Sequence, residues 1–394
     1  MAGRSRQVVI LILLGAAAFA GQWNLVFLAP VLPTVADDTG VSVTLAGQLV
    51  TVSGLTALVS LVLLGPLSDR YGRKPTLSLG LAAMAAAALG SYFTSSYALL
   101  MCLRVLSGVG DALVLPSAAA AVADYFDGKD REVALNVLFV PIGAAAVAGL
   151  PVVVLVTEVW DWHAAFLVFA AFNAAVLLAV RGLLPAVHAA ASPGRSLAAH
   201  YRESYAGVLR RRSAIVLGTA VLGATVGSGV FIYAGAFFED ELGYSGGSLS
   251  WLFAAFGGAY VLGGVGGAIL ARRSPPRPIA VWSLLAAAVL LLPLVTSTDV
   301  VVLTISLALV FSASRAPGIA ALNNILLDLM PRAQGTALSA FGVVAAAGYF
   351  FGAATGGIAI GTGGYIGMAS LFTLLAGGAV LLLALSTVDA DAAE

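Results

Sequence analysis

The stretch "GPLSDRYGRK", residues 65–74, differs sharply from the sequence on either side of it. It carries four charges in ten residues, whereas 10% of the whole chain is charged. Long apolar runs precede and follow it. Gly65 and Gly72 allow a tight backbone turn and a positive φ. The stretch therefore predicts a short, charged turn that joins two apolar helices.

The composition predicts a membrane protein. The chain has 394 residues, of which 60% are hydrophobic, and its mean hydropathy is +1.02. A soluble domain of this size cannot hide so much apolar surface from water. A single cysteine, Cys102, and three scattered histidines do not predict a metal centre, and we expect no cofactor. A net charge of zero gives no reason to expect a nucleic-acid partner.

Twelve apolar runs predict an all-α integral membrane protein with twelve transmembrane helices, since one span needs about 20 apolar residues. They cover residues 8–33, 42–65, 76–94, 97–123, 133–156, 162–184, 213–238, 248–271, 277–295, 299–327, 334–360 and 364–387. Residues 1–184 would form one six-helix bundle and residues 213–394 a second. The polar segment 185–212 would join them, either as a flexible linker or as an amphipathic helix on the membrane surface.

The basic residues predict the orientation. With the N-terminus in the cytoplasm, every Lys and Arg outside the predicted spans falls in a cytoplasmic segment, and the outer loops carry only acidic charges. Both termini are then cytoplasmic. Arg4 and Arg6 precede an apolar run as in a signal peptide, but the run continues to Val35, so we expect a retained helix. The composition suggests a bacterial inner-membrane protein.

Two stretches suggest an internal repeat. "REVALNVLFV" (131–140) opens the fifth predicted span and "QGTALSAFGV" (334–343) opens the eleventh. Their order favours a parallel repeat of six plus six helices.

The opening stretch resembles a motif of the major facilitator superfamily. That family carries G-x-L-x-D-R-x-G-R-K between its second and third spans, and every fixed position matches here. "RVLSGVGDA" (104–112) is similar to the span 4 pattern of the drug:proton antiporter branch, R-x-x-Q-G-x-G-x-A, with Ser107 in place of Gln. "PIGAAAVAGLP" (141–151) lacks the Gly-Pro pair of that branch's span 5. The resemblance implies two pseudo-symmetric six-helix bundles and alternating access.

The resemblance also implies a cytoplasmic gate. Asp69 would face the start of span 11, and Arg73 would pair with an acid at the end of span 4. Both contacts would join the two halves. The alternative is that the basic residues only fix the topology. The implied gate residues are Gly65, Asp69, Arg70, Gly72, Arg73, Asp124 and Asp127.

Three ionisable residues lie inside predicted spans, where an unpaired charge costs several kcal/mol. Arg104 and Asp111 are seven residues apart and share a helix face. Asp111 and Arg315 fall at similar depth, and we predict that they face one central cavity, with Asp111 as the proton-coupling group. The alternative is a static pair that locks two helices together. Polar residues at similar depth complete the candidate substrate site: Gln22, Asn24, Thr225, Ser228, Asn323 and Tyr349.

These charges favour an anionic, zwitterionic or neutral amphipathic substrate. The leading hypothesis is proton-coupled export by a monomeric secondary transporter. The alternatives are proton-coupled uptake of an organic anion or metabolite, and a ligand sensor with a transporter fold. No phosphate-binding loop or catalytic motif is present, so we expect neither ATP-driven transport nor an enzyme.

Overall fold

The computed structural model describes residues 2–64, 71–126, 144–185, 210–330 and 334–391, together with Ala134 and Leu138. Throughout these ranges the regular structure is helical. In the first half the α-helices are α1 (Ala2–Val26), α2 (Leu32–Thr39), α3 (Val43–Leu64), α4 (Arg73–Tyr92), α5 (Tyr97–Tyr125), α6 (Leu150–Val159) and α7 (Trp162–Leu183).

The second half contains five further helices. They are α8 (Arg211–Leu242), α9 (Gly246–Ala271), α10 (Pro276–Thr296), α11 (Val301–Leu329) and α12 (Gln334–Asp391). The last of these is interrupted at Gly363 and Gly364, where the backbone is not helical. Gly364 has a φ of 61°, which glycine tolerates without a Cβ clash. This break lies at the predicted boundary between spans 11 and 12.

The predicted all-α membrane architecture is confirmed. Among the described residues, ten helices are long and apolar enough to cross a membrane, and one of them (Ala340–Leu385) covers most of the last two predicted spans. The fifth predicted span is described mainly at its end, where a π-helical turn (Ala145–Gly149) leads into α6. The protein is therefore a multi-pass membrane protein.

The first predicted span lies within one apolar segment long enough to cross a membrane, Arg6–Thr39, but its helix is interrupted, which the sequence did not predict. Helix α1 ends at Val26, a 3₁₀ turn follows at Ala29–Val31, and α2 begins at Leu32. Pro30 and Pro33 occupy the first turns of the two new elements. Proline has no backbone N–H to donate within a helix but fits a helix start, so these two residues divide the run.

The described chain divides into two compact units. The N-terminal unit comprises Met1–Pro193 and Ser245–Ala254, and the C-terminal unit comprises Gly194–Tyr244 and Ala255–Glu394. Within each unit, glycines bring helix backbones together. A Cβ on Gly80 of α4 would lie 2.7 Å from the Gly110 carbonyl oxygen of α5, and one on Gly352 of α12 would lie 2.7 Å from the Thr225 carbonyl oxygen of α8. Small residues of this kind permit the close packing typical of membrane helices.

A basic side chain ties the same two spans together in each half. Lys74, at the start of α4, donates from Nζ to the Leu184 carbonyl oxygen just after α7, at 2.6 Å. Arg277, at the start of α10, donates from Nη2 to the Leu383 carbonyl oxygen of α12, at 2.7 Å. The Leu184 carbonyl follows the last turn of α7, where carbonyls lack intrahelical partners and cations are favourable, whereas the Leu383 carbonyl lies within α12, eight residues before its end. The recurrence supports the parallel repeat.

Candidate functional site

The carboxylate of Asp111 packs against α1 inside the N-terminal unit. Asp111 is the middle residue of α5, a helix of 29 residues. A Cβ added to Gly21 would lie 3.0 Å from Asp111 Oδ1, so the carboxylate lies over the bare backbone of that glycine. The side chain is half-buried.

The guanidinium of Arg315 packs in the same way inside the C-terminal unit. Arg315 is the middle residue of α11, which also has 29 residues. A Cβ added to Gly227 of α8 would lie 2.0 Å from Arg315 Cζ. Only a glycine leaves room for the guanidinium here. Tyr260 and Tyr349 lie close enough to interact with it electrostatically.

These two arrangements occupy equivalent positions in the repeat. Helices α1 and α8 are the first spans of their halves, and α5 and α11 are the fourth. In each half, the middle residue of the fourth span lies against a glycine of the first. The position holds a carboxylate in one unit and a guanidinium in the other. The pairing of Asp111 with Arg315 stays a prediction.

A cavity of about 100 Å³ opens beside Arg315 within the C-terminal unit. Four helices line it: α8, α10, α11 and α12. Its wall is apolar, with Leu284, Phe311 and Phe341 among the lining residues, and its polar side chains are Ser283 and Arg315. Ser283 Oγ donates its proton to the Ser314 carbonyl oxygen at 2.7 Å, so this hydroxyl has no further proton to donate to a ligand in the cavity. The cavity thus combines an apolar wall with one cationic group.

Arg104 is buried in the N-terminal unit, with 2% of its surface exposed. Its Cζ lies 5.1 Å from the centroid of the Phe166 ring, within cation–π range. It lines a cavity of about 10 Å³ together with Asn24 and Ser53. Asn24 is 3% exposed, and no described residue bonds to its Oδ1 or Nδ2. The structure therefore brings two of the predicted site residues, Asn24 and Arg104, to one small cavity.

The remaining predicted residues differ in their surroundings. Thr225 and Ser228 are buried in α8, and the Thr225 carbonyl lies at the close contact with Gly352 of α12. Asn323 Oδ1 is buried without a partner among the described residues. Gln22 is half-buried on α1, two residues from Asn24. Thr225 thus lies at a helix-packing contact in this arrangement.

At the predicted gate, Arg73 pairs with Asp124, and its Nε donates to Oδ2 at 3.0 Å. Both residues belong to the N-terminal unit, so the prediction that this pair joins the two halves is wrong. It instead ties the start of α4 to the end of α5, because successive antiparallel helices bring those ends together. Gly72 precedes α4 with a φ of 91°, which confirms a glycine turn. Gly65, Asp69, Arg70 and Asp127 lie outside the described residues, so the contact predicted for Asp69 stays a prediction.

One further contact at this end was not apparent from the sequence. The hydroxyl of Tyr125 donates to the Pro185 carbonyl oxygen, which ties α5 to the end of α7. Burial and the neighbouring Asp124 carboxylate raise the pKa of Tyr125, against an opposing effect of Arg6. The phenol therefore keeps the proton that it donates at neutral pH. A tyrosine at a span end suggests an interfacial anchor but does not reveal its acceptor.

Comparison with known proteins identifies the family. The model of the Major Facilitator Superfamily matches residues 11–246, more than half of the chain. The chain belongs to the major facilitator superfamily. It is a multi-pass membrane protein, and it resembles the drug:proton antiporters of that superfamily.

Individual relatives agree with this assignment. The chain is 26% identical to multidrug resistance protein D of Escherichia coli (strain K12) over 207 residues, which cover 50% of each chain. It is 33% identical to the multidrug efflux pump LfrA of Mycolicibacterium smegmatis over 142 residues, 36% of this chain and 28% of that protein. The chain thus spans half or less of these relatives. A crystal structure of a D-xylose–proton symporter shares the fold, with a TM-score of 0.79, 17% identity, and coverage of 95% of this chain and 97% of that one.

Proposed function

We propose that this protein exports a small amphipathic compound, neutral or negatively charged, in exchange for protons. The observation that carries the proposal is the cavity in which Arg315 meets an apolar wall. An apolar wall favours an apolar body, and a guanidinium favours a negatively charged or strongly polar group. The multidrug efflux pump LfrA among the relatives supports the direction of transport.

In this proposal Asp111 takes and releases the proton. It is the one carboxylate that the described chain places in the middle of a candidate span. Ionisable residues at such depth mark proton and substrate pathways. Its position over the Gly21 backbone leaves it half-buried. Solvent can therefore reach it once one side of the transporter opens.

Arg315 orients the substrate. Gly227 lets the guanidinium lie flat against α8, at the edge of the cavity lined by Phe311 and Phe341. A negative group at Arg315 would place the apolar body of the substrate in that cavity. We expect the volume of about 100 Å³ to suit a body no larger than one aromatic ring.

Proton-coupled uptake of an organic anion is the second candidate, and the charge of the two central residues favours it. Protonation of Asp111 removes one negative charge, and binding of a monoanion at Arg315 restores it. If both groups face the substrate path, the two events would promote each other, which is the linkage needed for cotransport.

The orientation belongs to the same proposal. Both termini would be cytoplasmic, and Arg73 and Lys74 would lie on that side. The bacterial relatives support a location in the inner membrane. The gate motif would act there through Asp69.

A thermal-stability screen tests the substrate class. Purified protein in detergent would be heated with matched probes, such as benzoate and its neutral analogue benzamide, because a ligand of the folded state raises the unfolding midpoint. We expect the anion to stabilise more than the amide, and Arg315→Met to lose that difference. Equal effects of the two probes, or an unchanged preference in the variant, would contradict the anion site.

Flux in proteoliposomes with an imposed pH gradient tests the reaction. Export by exchange moves the probe against the proton flow, cotransport moves it with the proton flow, and a sensor gives no flux. We expect Asp111→Asn to bind the probe but to lose the dependence on the gradient. Full gradient-driven transport by that variant would rule out Asp111 as the coupling group.

A further inference from the structure

The cavity at Arg104 is too small for an organic substrate but suits a single small guest. Its volume of about 10 Å³ is close to the smallest that can hold one water-sized guest. Leu25, Leu28 and Val50 form its apolar wall, and Asn24, Ser53 and Arg104 supply its polar side chains. A monatomic ion or one water molecule are the guests that fit.

The charge of the cavity favours an anion. Arg104 is 2% exposed as a whole residue, and no described carboxylate pairs with its guanidinium. On its own helix, Asp111 is seven residues away, about 10 Å along the axis, and lies against Gly21. Cation–π contact with Phe166 offsets only part of the cost of burying this charge.

The donors around the cavity match the chemistry of a halide. Asn24 is 3% exposed, and its Nδ2 has no partner among the described residues. Ser107 Oγ donates to the Arg104 carbonyl oxygen at 3.3 Å, so Ser53 is the donor in the 3.4 Å hydrogen bond between the two hydroxyls. Ser53 gives up only this long, weak bond when it turns its proton toward the cavity. A guanidinium, an amide and a hydroxyl can therefore donate to one ion, while the leucine and valine side chains exclude water from its other side.

We propose that this cavity, lined by Asn24, Ser53 and Arg104, binds a single halide ion, chloride under physiological conditions. The ion neutralises the buried guanidinium and accepts a hydrogen bond from Asn24 Nδ2. It links α1, α3 and α5, which supply the three polar groups. The site lies within the N-terminal unit and does not depend on which substrate the protein carries or on the direction of transport.

The test measures the thermal unfolding of the purified, full-length protein in potassium chloride, bromide or gluconate at constant ionic strength. We expect a saturable rise of about 2–4 °C in chloride and bromide over gluconate. Asn24→Leu keeps the side-chain volume but removes the amide donor, so its halide response should be lost. Ser78→Ala is the matched control, because it removes another buried hydroxyl without a described partner from the same unit and should keep the response.

Bromide also allows the site to be located directly. Anomalous scattering from a bromide-soaked crystal should show a peak between Arg104 and Asn24 in the wild type and none there in Asn24→Leu. A midpoint that is the same in all three salts, an unchanged halide response in Asn24→Leu, or an ordered water without anomalous signal in the cavity would each overturn the proposal.

Discussion

At the scale of single residues, the candidate site depends on two glycines as much as on two charges. Asp111 and Arg315 stand out in the sequence because an ionisable residue inside an apolar run is costly and therefore rare. Gly21 and Gly227 do not stand out, since the chain has 45 glycines. Only the packing of α1 on α5 and of α8 on α11 shows which glycine accommodates which charge.

Replacement of Gly227 by alanine should displace the guanidinium of Arg315. The added Cβ would lie 2.0 Å from Arg315 Cζ, a distance that no relaxation of the backbone can accept without moving the side chain. We expect a loss of about 1–3 kcal/mol of stability and a loss of probe binding, measured by thermal unfolding with and without benzoate. Gly258→Ala on α9 has nothing within 4 Å and should change neither quantity. If Gly227→Ala binds benzoate as well as the wild type does, Arg315 does not need the space that Gly227 leaves beside it.

At the scale of helices, the sequence predicts where spans lie better than how they are shaped. Apolar run length located the helices, and the Gly363–Gly364 pair marks the break in α12. The division of the first span by Pro30 and Pro33 was missed because membrane helices often tolerate proline. The π turn Ala145–Gly149 leaves no periodic signal in the sequence, and its last residue packs against Trp23 of α1, a contact that local sequence does not reveal.

The contact between Trp23 and the π turn can be tested by a single methyl group. A Cβ on Gly149 would lie 2.8 Å from Trp23 Cδ1, and the indole is 4% exposed and surrounded by Phe19, Phe169 and Phe172. We expect Gly149→Ala to lower stability by about 1–3 kcal/mol, read as a lower unfolding midpoint. Gly182→Ala on α7, with nothing within 4 Å, provides the control. If the two variants unfold at the same temperature, the turn is not held by Trp23.

The hydrogen bond from Arg277 to α12, which corresponds to the one from Lys74 in the N-terminal half, can be tested by mutation. Arg277→Met keeps the aliphatic stem but removes the hydrogen bonds to Leu383 and Ala384. We expect a loss of about 1 kcal/mol, because Arg277 is half-buried and solvent partly screens its charged hydrogen bonds. Arg272→Met, an exposed arginine just after α9, should have no effect in the same thermal measurement. A loss as large in Arg272→Met would point to a general effect of charge.

At the scale of the whole molecule, the two halves repeat the same helix arrangement but have different ionisable groups at the equivalent position. The position at the middle of the fourth span holds Asp111 in one copy and Arg315 in the other. Large side chains such as Trp251 and Trp282 are 79% and 70% exposed, which is a stable arrangement only in contact with lipid. The sequence predicted this arrangement through its motif and its basic residues. The family resemblance correctly implied an acid at the end of span 4 as the partner of Arg73, but it wrongly implied that this contact joins the two halves, since Arg73 and Asp124 lie in one unit.

The most direct test of proton exchange at Asp111 is the proton count on ligand binding. The anion that stabilises the protein most would be added to purified protein in weakly buffered solution with a pH indicator, over a range of starting pH. Exchange requires substrate and proton to exclude each other, so the wild type should release protons on binding and Asp111→Asn should release none. Proton uptake by the wild type, or undiminished release by Asp111→Asn, would contradict export in exchange for a proton carried by Asp111.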